Sequence, residues 1–449
     1  MTPRNPGDSG MVEAYGGLLL RGLRSPLARR VGLGLLALLV AFLWYNMVRR
    51  VISPGGSQYL SFLTFSEDLI HRHVNVYLEY SVSDTVTKYP PFFSLLFAPL
   101  VPLPHWLGAS VWFWVSLGLV VGATYFSVLT VREGGVGERD PALYVIPFVL
   151  TAGIIGSNLE TAQVNHVMLF LICWSLFAFK RGRDLGAGAL MGVATALKLT
   201  PGLFILYFLY KRRFKVAVGA VVGLMVCWVA LPLFMFGFEN YGPIMASWWD
   251  ILGRFISEGT VAEGVAGFRH TNQSLSAALH RFLSDVPADG GRGANYFVNV
   301  ISLSVPLVDH IVKGLAVAIL GFLAWVCRTP LGDRDRVALS FEYSLIFIST
   351  LFISPISWIN HYVFLLFPYF AAVYFIRTRP STLAQRQLML YALAISFVLV
   401  SSSASQLMQA WSLPVLGALI IAAAIAAALR GEQRRLRAEP GAQQEVSSH

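Results

Sequence analysis

The sequence predicts an all-α protein, a polytopic bundle of about ten full membrane spans plus a short re-entrant-like helix pair. Three observations carry that expectation. Of the 449 residues, 56% are hydrophobic and only 13% charged, whereas a soluble domain carries about 25% charged residues. Apolar runs at 31–48, 111–131, 216–236, 311–326 and 413–429 approach or reach the ~20 residues a helix needs to cross a ~30 Å hydrocarbon core. Such helices close their own backbone hydrogen bonds, which lipid requires. The third observation is charge asymmetry, because cytoplasmic loops collect Lys and Arg. With both termini cytoplasmic, 24 of the 34 basic residues fall inside, so the net charge of +10 reads as topology and calls for no nucleic-acid partner.

The elements follow in order. A cytoplasmic tail occupies 1–30, a membrane domain 31–429 and a second cytoplasmic tail 430–449. The first apolar run is followed by bulky Trp44, Tyr45 and Asn46 instead of a small-residue cleavage site, so it reads as an uncleaved span. Full spans are expected near 31–48, 107–131, 141–157, 164–180, 214–236, 309–327, 338–354, 360–377, 387–404 and 411–429. The stretch 185–210 lies between basic loops at Arg183 and Lys211, and each half is too short to cross. Its halves meet at Lys198-Leu199-Thr200-Pro201, where proline breaks the helix. It reads as two short helices with their tip toward the outer face. Two long loops, 49–105 and 237–308, fall outside and form the active-site face. Within the first, 92–103 is apolar but too short to span, so it lies in the interface or dips into the protein. Cys173, Cys227 and Cys327 stand far apart and offer neither a disulfide framework nor a metal pattern.

With this orientation the unusual polar clusters share the outer face. Glu67-Asp68 with His71-Arg72-His73 follows the first span; if helical, Asp68, His71 and Arg72 share one side. A carboxylate beside imidazole and guanidinium suits general-base work next to a phosphate, although charge runs are usually solvated helix faces. Glu160, Gln163, Asn165 and His166 sit at the outer mouth of the fourth span, where interfacial capping is the plainer account. Lys198 lies at a break between apolar helices, where a cation is costly unless it faces a polar cavity or pairs with an anion. Arg269 and His270 could bind phosphate, and Asn272 and Gln273 sugar hydroxyls; a helix start capped by Thr271 or Asn272 explains the same string. Ser354-Pro355 through Trp358, Asn360, His361 and Tyr362 form the last cluster, and Trp and Tyr populate interfacial belts regardless of activity. Four such segments on one face describe a site for moving a polar group off a phosphate. P-loop, Rossmann glycine and HExxH patterns are absent from the sequence, so cytosolic nucleotide or zinc chemistry has no support.

At these segments the chain resembles the GT-C glycosyltransferases, specifically glycosyltransferase family 87, the polyprenyl-phosphate-mannose-type transferases. The matching pieces, in the family's order over roughly 60–365, begin with Asp68, Tyr77 and Tyr89-Pro90-Pro91. They continue with Ala162-Gln163-Val164-Asn165 and with Gly188 through Lys198-Leu199-Thr200-Pro201 and Lys211-Arg212-Arg213. Asn272-Gln273-Ser274-Leu275 and Ser354-Pro355-Ile356-Ser357-Trp358 complete the set. Ala162 stands where the family commonly has Gly, and Asn360-His361 where it commonly has paired histidines.

The resemblance implies a GT-C fold, a polyprenyl-phosphate-linked hexose donor, most often mannose, and a lipid or glycan acceptor among membrane lipids. It also implies an extracytoplasmic site, in a bacterial inner membrane, and Asp68 as the catalytic carboxylate. In an inverting transfer Asp68 would deprotonate the acceptor hydroxyl, while Lys198, Arg269, His270 and His361, with His71 and Arg72, hold the leaving phosphate. Gln163, Asn165, Asn272 and Gln273, joined by Tyr89 and Trp358, would orient sugar or acceptor. No cofactor is expected, and no acidic metal cage is apparent. Two other readings stay open at this stage: a transporter or flippase using the broken pair 185–210, and a noncatalytic membrane assembly partner.

Overall fold

The computed structural model describes residues 26–53, 57–79, 88–133, 140–289, 296–379 and 381–438. Most of both predicted tails, and nearly all of the stretch between Tyr80 and Lys88, lie outside the described residues. Its helices are α1 (Pro26–Ile52), α2 (Gln58–Ile70), α3 (His105–Val131), α4 (Ala142–Glu160), α5 (Asn165–Lys180), α6 (Asp184–Leu197), α7 (Gly202–Tyr210) and α8 (Phe214–Met225). From α8 the chain passes through a π turn, Val226–Ala230, into α9 (Leu231–Glu258). There follow α10 (Leu275–Leu283), α11 (Val305–Val326), α12 (Arg336–Ile353), α13 (Leu366–Thr378), α14 (Leu383–Ser401) and α15 (Leu413–Ala438). Nine segments among the described residues are long and apolar enough to cross a membrane; α5 is shorter, at 16 residues. The only extended pairing among the described residues is an isolated bridge between Asn272 and Trp358. The all-α membrane bundle expected from composition is the fold observed.

The break after α6 occurs where the sequence places it. Lys198 leaves the helical region (φ −159°, ψ 134°), and Pro201 starts α7 as its N-cap, a position that needs no backbone donor. What holds the pair is the contact between α6 and α8. Gly188 and Gly192 on α6 face Gly219 and Gly223 on α8. A Cβ added to any of the four would overlap the facing backbone, at Val216, Ala220, Leu185 or Ala189 respectively. Small residues four apart let helix backbones touch, the device that replaces hydrophobic driving force inside lipid.

One expectation needs revision. The second outer loop does not begin as a loop at Gly237. The helix bends there, at φ 73° and ψ 171°, and continues to Glu258. Glycine permits that conformation where other residues would be strained. Trp248, Ile251 and Phe255 then face inward. The apolar stretch after Pro91 forms two 3₁₀ turns, Pro91–Leu96 and Ala98–Leu100. It dips into the protein, with Phe93 and Phe97 fully buried against Phe62 of α2.

At the far end from this aromatic cluster, Glu342 is completely buried and accepts from Arg334 (2.9 Å), Lys211 (2.8 Å) and Tyr207 (2.7 Å). Two cations on one carboxylate tie the α7–α8 turn to the start of α12. Breaking such a buried pair by removing one partner typically costs about 3–5 kcal/mol, so the cluster anchors the turn in place.

Gly192→Val should destabilise the protein by about 1–3 kcal/mol through overpacking, read as a lower thermal unfolding temperature in detergent. An unchanged unfolding temperature would contradict the α6–α8 backbone contact.

Candidate functional site

A cavity of about 910 Å³ opens where the end of α4, the α6–α7 tip, α9, the turn Gly259–Phe268 and the segment from Ile353 to His361 come together. Its floor is the tip at Lys198. The ammonium Nζ lies 2.6 Å from His361 Nε2; the charged amine donates and the imidazole accepts, which leaves the ring proton on Nδ1. His361 therefore orients Lys198 and adds no second charge. Trp228 Nε1 donates to the Ala196 carbonyl at 3.1 Å, satisfying one of the carbonyls left open at the end of α6.

Two walls differ in character. One is polar. Ser157 Oγ donates to Asn360 Oδ1 at 2.8 Å, and Asn360 Nδ2 donates to Thr161 at 3.3 Å. Gln163 donates to Gln58 at 3.1 Å. Beneath them Asn165 donates to Asn158 Oδ1 (2.9 Å), and Asn158 donates to the Asn360 carbonyl (2.9 Å). Ala162, between α4 and Gln163, has φ 55°, a conformation easiest for glycine, which explains glycine as the common residue there. The other is apolar, built from Trp248, Ile251, Phe255 and Ile256 of α9 with Val312 and Ala316 of α11. Arg50, Lys88, Lys198, Arg269 and Lys313 bring cations to the lining, against the carboxylates Glu160 and Asp309 among the described residues. Trp248 Nε1 and Thr271 Oγ1 also belong to lining residues and are buried without a hydrogen-bond partner. No group of three or more His, Cys, Asp or Glu suited to a metal occurs among the described residues.

Of the thirteen residues given catalytic or binding roles from the sequence, Tyr89, Gln163, Lys198, Arg269, Trp358 and His361 line the cavity. Seven others do not. Asp68 lies ten residues beyond Gln58 along α2, about 15 Å at 1.5 Å per residue. It is bound to Arg72 at 3.0 Å in the i,i+4 pair the sequence implied. Arg72 also holds Glu67 at 2.8 Å, and His71 caps the exposed end of the same helix. Asp68, His71 and Arg72 are not among the residues that line the cavity. Asn165 is buried behind the polar wall.

The motif after Phe268 is a brace. Asn272 Oδ1 accepts from the backbone of Ser274 (3.1 Å) and Ser357 (3.0 Å), and its Nδ2 donates to the Gly267 and Pro355 carbonyls. Gln273 donates through its backbone to Ser357 O (2.7 Å) and through its side chain to the His270 and Gln409 carbonyls. The helix cap is Ser274, whose Oγ accepts from Ala277 N, in place of Thr271 or Asn272. Arg281 was not anticipated. Completely buried, it donates to the Phe268, Arg269, Asn272 and Ala410 carbonyls and to Ser412 Oγ. Burial, opposed by Tyr362 and Tyr296, brings its guanidinium down to about 9, still charged at neutral pH. This clamp turns Arg269 and Thr271 toward the cavity. His270 points instead to the Ala288 carbonyl and Tyr296. Burial, opposed by the Ala288 hydrogen bond and aided by Arg281 and Arg269, lowers its basicity, so it supplies no phosphate-binding charge at neutral pH.

A sequence profile of glycosyltransferase family 87 matches residues 87–355. The chain belongs to that family. It is 26% identical over 354 residues to a polyprenol-phosphate-mannose-dependent alpha-(1-2)-phosphatidylinositol pentamannoside mannosyltransferase of Mycobacterium tuberculosis, covering 77% of this chain and 73% of the relative. The protein of the same description from Mycolicibacterium smegmatis is 28% identical over 282 residues, 62% of this chain and 58% of the relative. A phosphatidylinositol mannoside mannosyltransferase from that organism is 27% identical over 298 residues, 63% and 60% of the two chains. No solved structure matches. The chain is therefore a membrane glycosyltransferase.

Lys198→Met should lower glycosyl transfer by about 10²–10³-fold, the usual effect of removing one electrostatic stabiliser of a developing anion; steady-state rates on purified protein with an intact unfolding transition read this out. The second expectation concerns pH. Burial lowers both His270 and His280 from the ordinary 6.5, so the unfolded chain binds the extra protons. The stability of the Phe268–Leu283 brace should be complete above about pH 6.5 and fall as pH drops below it. Melting curves at pH 7 and pH 5 would show this, and an unfolding temperature that rose on acidification would refute it.

Proposed function

We propose that this family 87 enzyme transfers mannose from a polyprenyl-phosphate-mannose donor to a mannolipid or glycan acceptor, with inversion, at the extracytoplasmic face of a bacterial inner membrane. The observation that carries the reading is the cavity itself. A lysine held by His361 at the broken-helix tip, with Arg269 also in the lining, supplies positive charge for a departing phosphate. The apolar wall suits an isoprenoid tail and the amide-and-hydroxyl wall suits sugar. The relatives are named for polyprenol-phosphate-mannose as donor and phosphatidylinositol mannosides as acceptor, and the same classes fit both walls. With a lipid phosphate as leaving group, the charge that a nucleotide donor would bring is already reduced to one phosphate. A few fixed cations suffice.

The side of the membrane is supported by the opposite end of the bundle. Arg132, Lys180, Lys211, Arg334, Arg336 and Arg379 gather there. Lys180 donates to the Leu129, Thr130 and Arg132 carbonyls, and Arg379 pairs with Asp335 at 2.6 Å. Helix α12 starts at this basic end and runs to the cavity at Ile353 over 18 residues, about 27 Å. That is close to the hydrocarbon thickness. Basic residues mark the cytoplasmic side, which leaves the cavity on the other.

Sealed right-side-out vesicles holding the protein and polyprenyl-phospho-mannose, given a membrane-impermeant mannolipid analogue outside, should yield an acceptor heavier by one hexose on mass spectrometry. Accumulation of unmodified donor across the membrane, with no new glycosidic bond, would sink the transferase reading in favour of transport.

A further inference from the structure

We infer that Arg49 and Arg50, at the cavity end of α1, bind a phosphate of the acceptor, which makes that acceptor an anionic glycophospholipid. The inference rests on the glycosyl-transfer reading and decides the acceptor class that reading leaves open between lipid and glycan. Both arginines fall in the last turn of α1. With the basic end of the bundle cytoplasmic, that turn lies on the side where membrane proteins ordinarily carry few cations, so topology does not account for them. Arg50 lines the cavity. Arg49 is exposed and forms no ion pair among the described residues.

Two faces of α1 meet at this turn. Asn46 and Arg50, one turn apart, both donate to Glu160 at the end of α4, at 3.0 and 3.2 Å, and so pin the helix. Around the helix from them, Leu38, Phe42, Tyr45, Arg49 and Ile52 are all exposed. Spacings of four and three residues align these five in one strip. Arg49 stands eleven residues beyond Leu38, about 16 Å at 1.5 Å per residue, or half of a ~30 Å hydrocarbon core. The strip is therefore apolar for the depth of one leaflet and ends in a tyrosine and an arginine at headgroup level. A phospholipid lying along it sets its acyl chains on Leu38 and Phe42 and its phosphate at Arg49 and Arg50.

A guanidinium has five donors in a planar fork that matches phosphate oxygens. Among the described residues Arg50 spends only its Nη2 on Glu160, so the pair with Glu160 aims it and leaves donors over. The polar wall joins this turn to the cavity floor: Thr161, next to Glu160, accepts from Asn360, whose neighbour His361 holds Lys198. The cavity thus has one cationic station at its floor and a second at the end of α1. Transfer from one phospholipid to another needs both, because two phosphates brought together repel unless each has its own counter-charge. The two lipids also keep to different helices. Helix α1 packs on α3 and α4, whereas the apolar wall that suits the donor tail belongs to α9 and α11.

The test compares two acceptors in nonionic micelles: a mannosylated phosphatidylinositol, and a mannosyl diacylglycerol with the same acyl chains and no phosphate. Wild type, Arg49→Gln, Arg50→Gln, Arg50→Lys and the double glutamine variant are assayed, with unfolding temperatures measured alongside. A cation near an anionic headgroup is worth about fivefold in affinity, so the double variant should raise KM for the anionic acceptor by about 10–30-fold. Its kcat, and its KM for the neutral acceptor, should stay within about threefold of wild type, the mark of lost binding with chemistry intact. Arg50→Lys, which keeps the charge, should stay within about threefold on both acceptors. A double variant whose KM for the anionic acceptor stays within about twofold of wild type overturns the assignment, as does a wild type that prefers the neutral acceptor. An equal rise for both acceptors also overturns it, making the arginines a tie between α1 and α4. If Arg50→Gln does not fold, Arg49→Gln decides alone: a rise of about three- to fivefold confined to the anionic acceptor supports the assignment, and no rise overturns it. All of these outcomes leave the transferase reading standing, whereas wild-type protein that glycosylates neither acceptor overturns both.

Discussion

Everything at the cavity floor depends on two helices whose backbones touch. Lys198 can stand at a break inside the bundle only because α6 is held against α8 with no side chain between them, at Gly188, Gly192, Gly219 and Gly223. Dispersion across such a close approach replaces the hydrophobic effect, which gives nothing for apolar surfaces already in lipid. The tip is then fixed from both directions. Glycine contacts hold the helix before it, and the Glu342 cluster holds the turn after α7. A cation placed on a rigid tip loses little freedom when an anion arrives, so more of its attraction is available to the reaction.

The other half of the site is held by backbone carbonyls. Arg281 gathers four of them, and the Pro355 carbonyl accepts from Thr260, Asn272 and Ser274. These contacts fasten the second outer segment to the turn before Trp358. A buried guanidinium is tolerable because its donors are spent on fixed acceptors. The resemblance motif around Asn272 and Gln273 is thus a joint between loops, and the side chains it presents to the cavity are its neighbours Arg269 and Thr271.

Much of this was legible in the sequence. Among the described residues, nine of the ten expected spans and the broken pair with Lys198 at its tip follow from apolar run length, proline and the cost of a membrane cation; the tenth, α5, is shorter at 16 residues. What composition does not give is position along a helix: Gln58 stands at the end of α2 that meets the cavity, and Asp68 stands ten residues further along the same helix, paired with Arg72. Asn272 and Gln273 look like ligands for sugar because amides pair equally well with hydroxyls and with peptide groups; only the tertiary fold says which is present. Glu160 was visible as part of a cluster, but its companions Arg50 and Asn46 lie more than a hundred positions away and are brought to it by packing of α1 on α4. The span was ended at 236 because the apolar run stops there; at Gly237 the chain instead takes a positive φ, turns, and resumes as helix to Glu258.

The apolar wall formed by α9 and α11 has a further consequence for how such an enzyme meets its substrates. A donor whose tail rests against that wall arrives by diffusion within the bilayer, so the quantity that sets occupancy is its mole fraction among lipids and not its molarity in water. Micelles added to a reaction mixture would then dilute the substrate in two dimensions, slowing turnover without touching the protein.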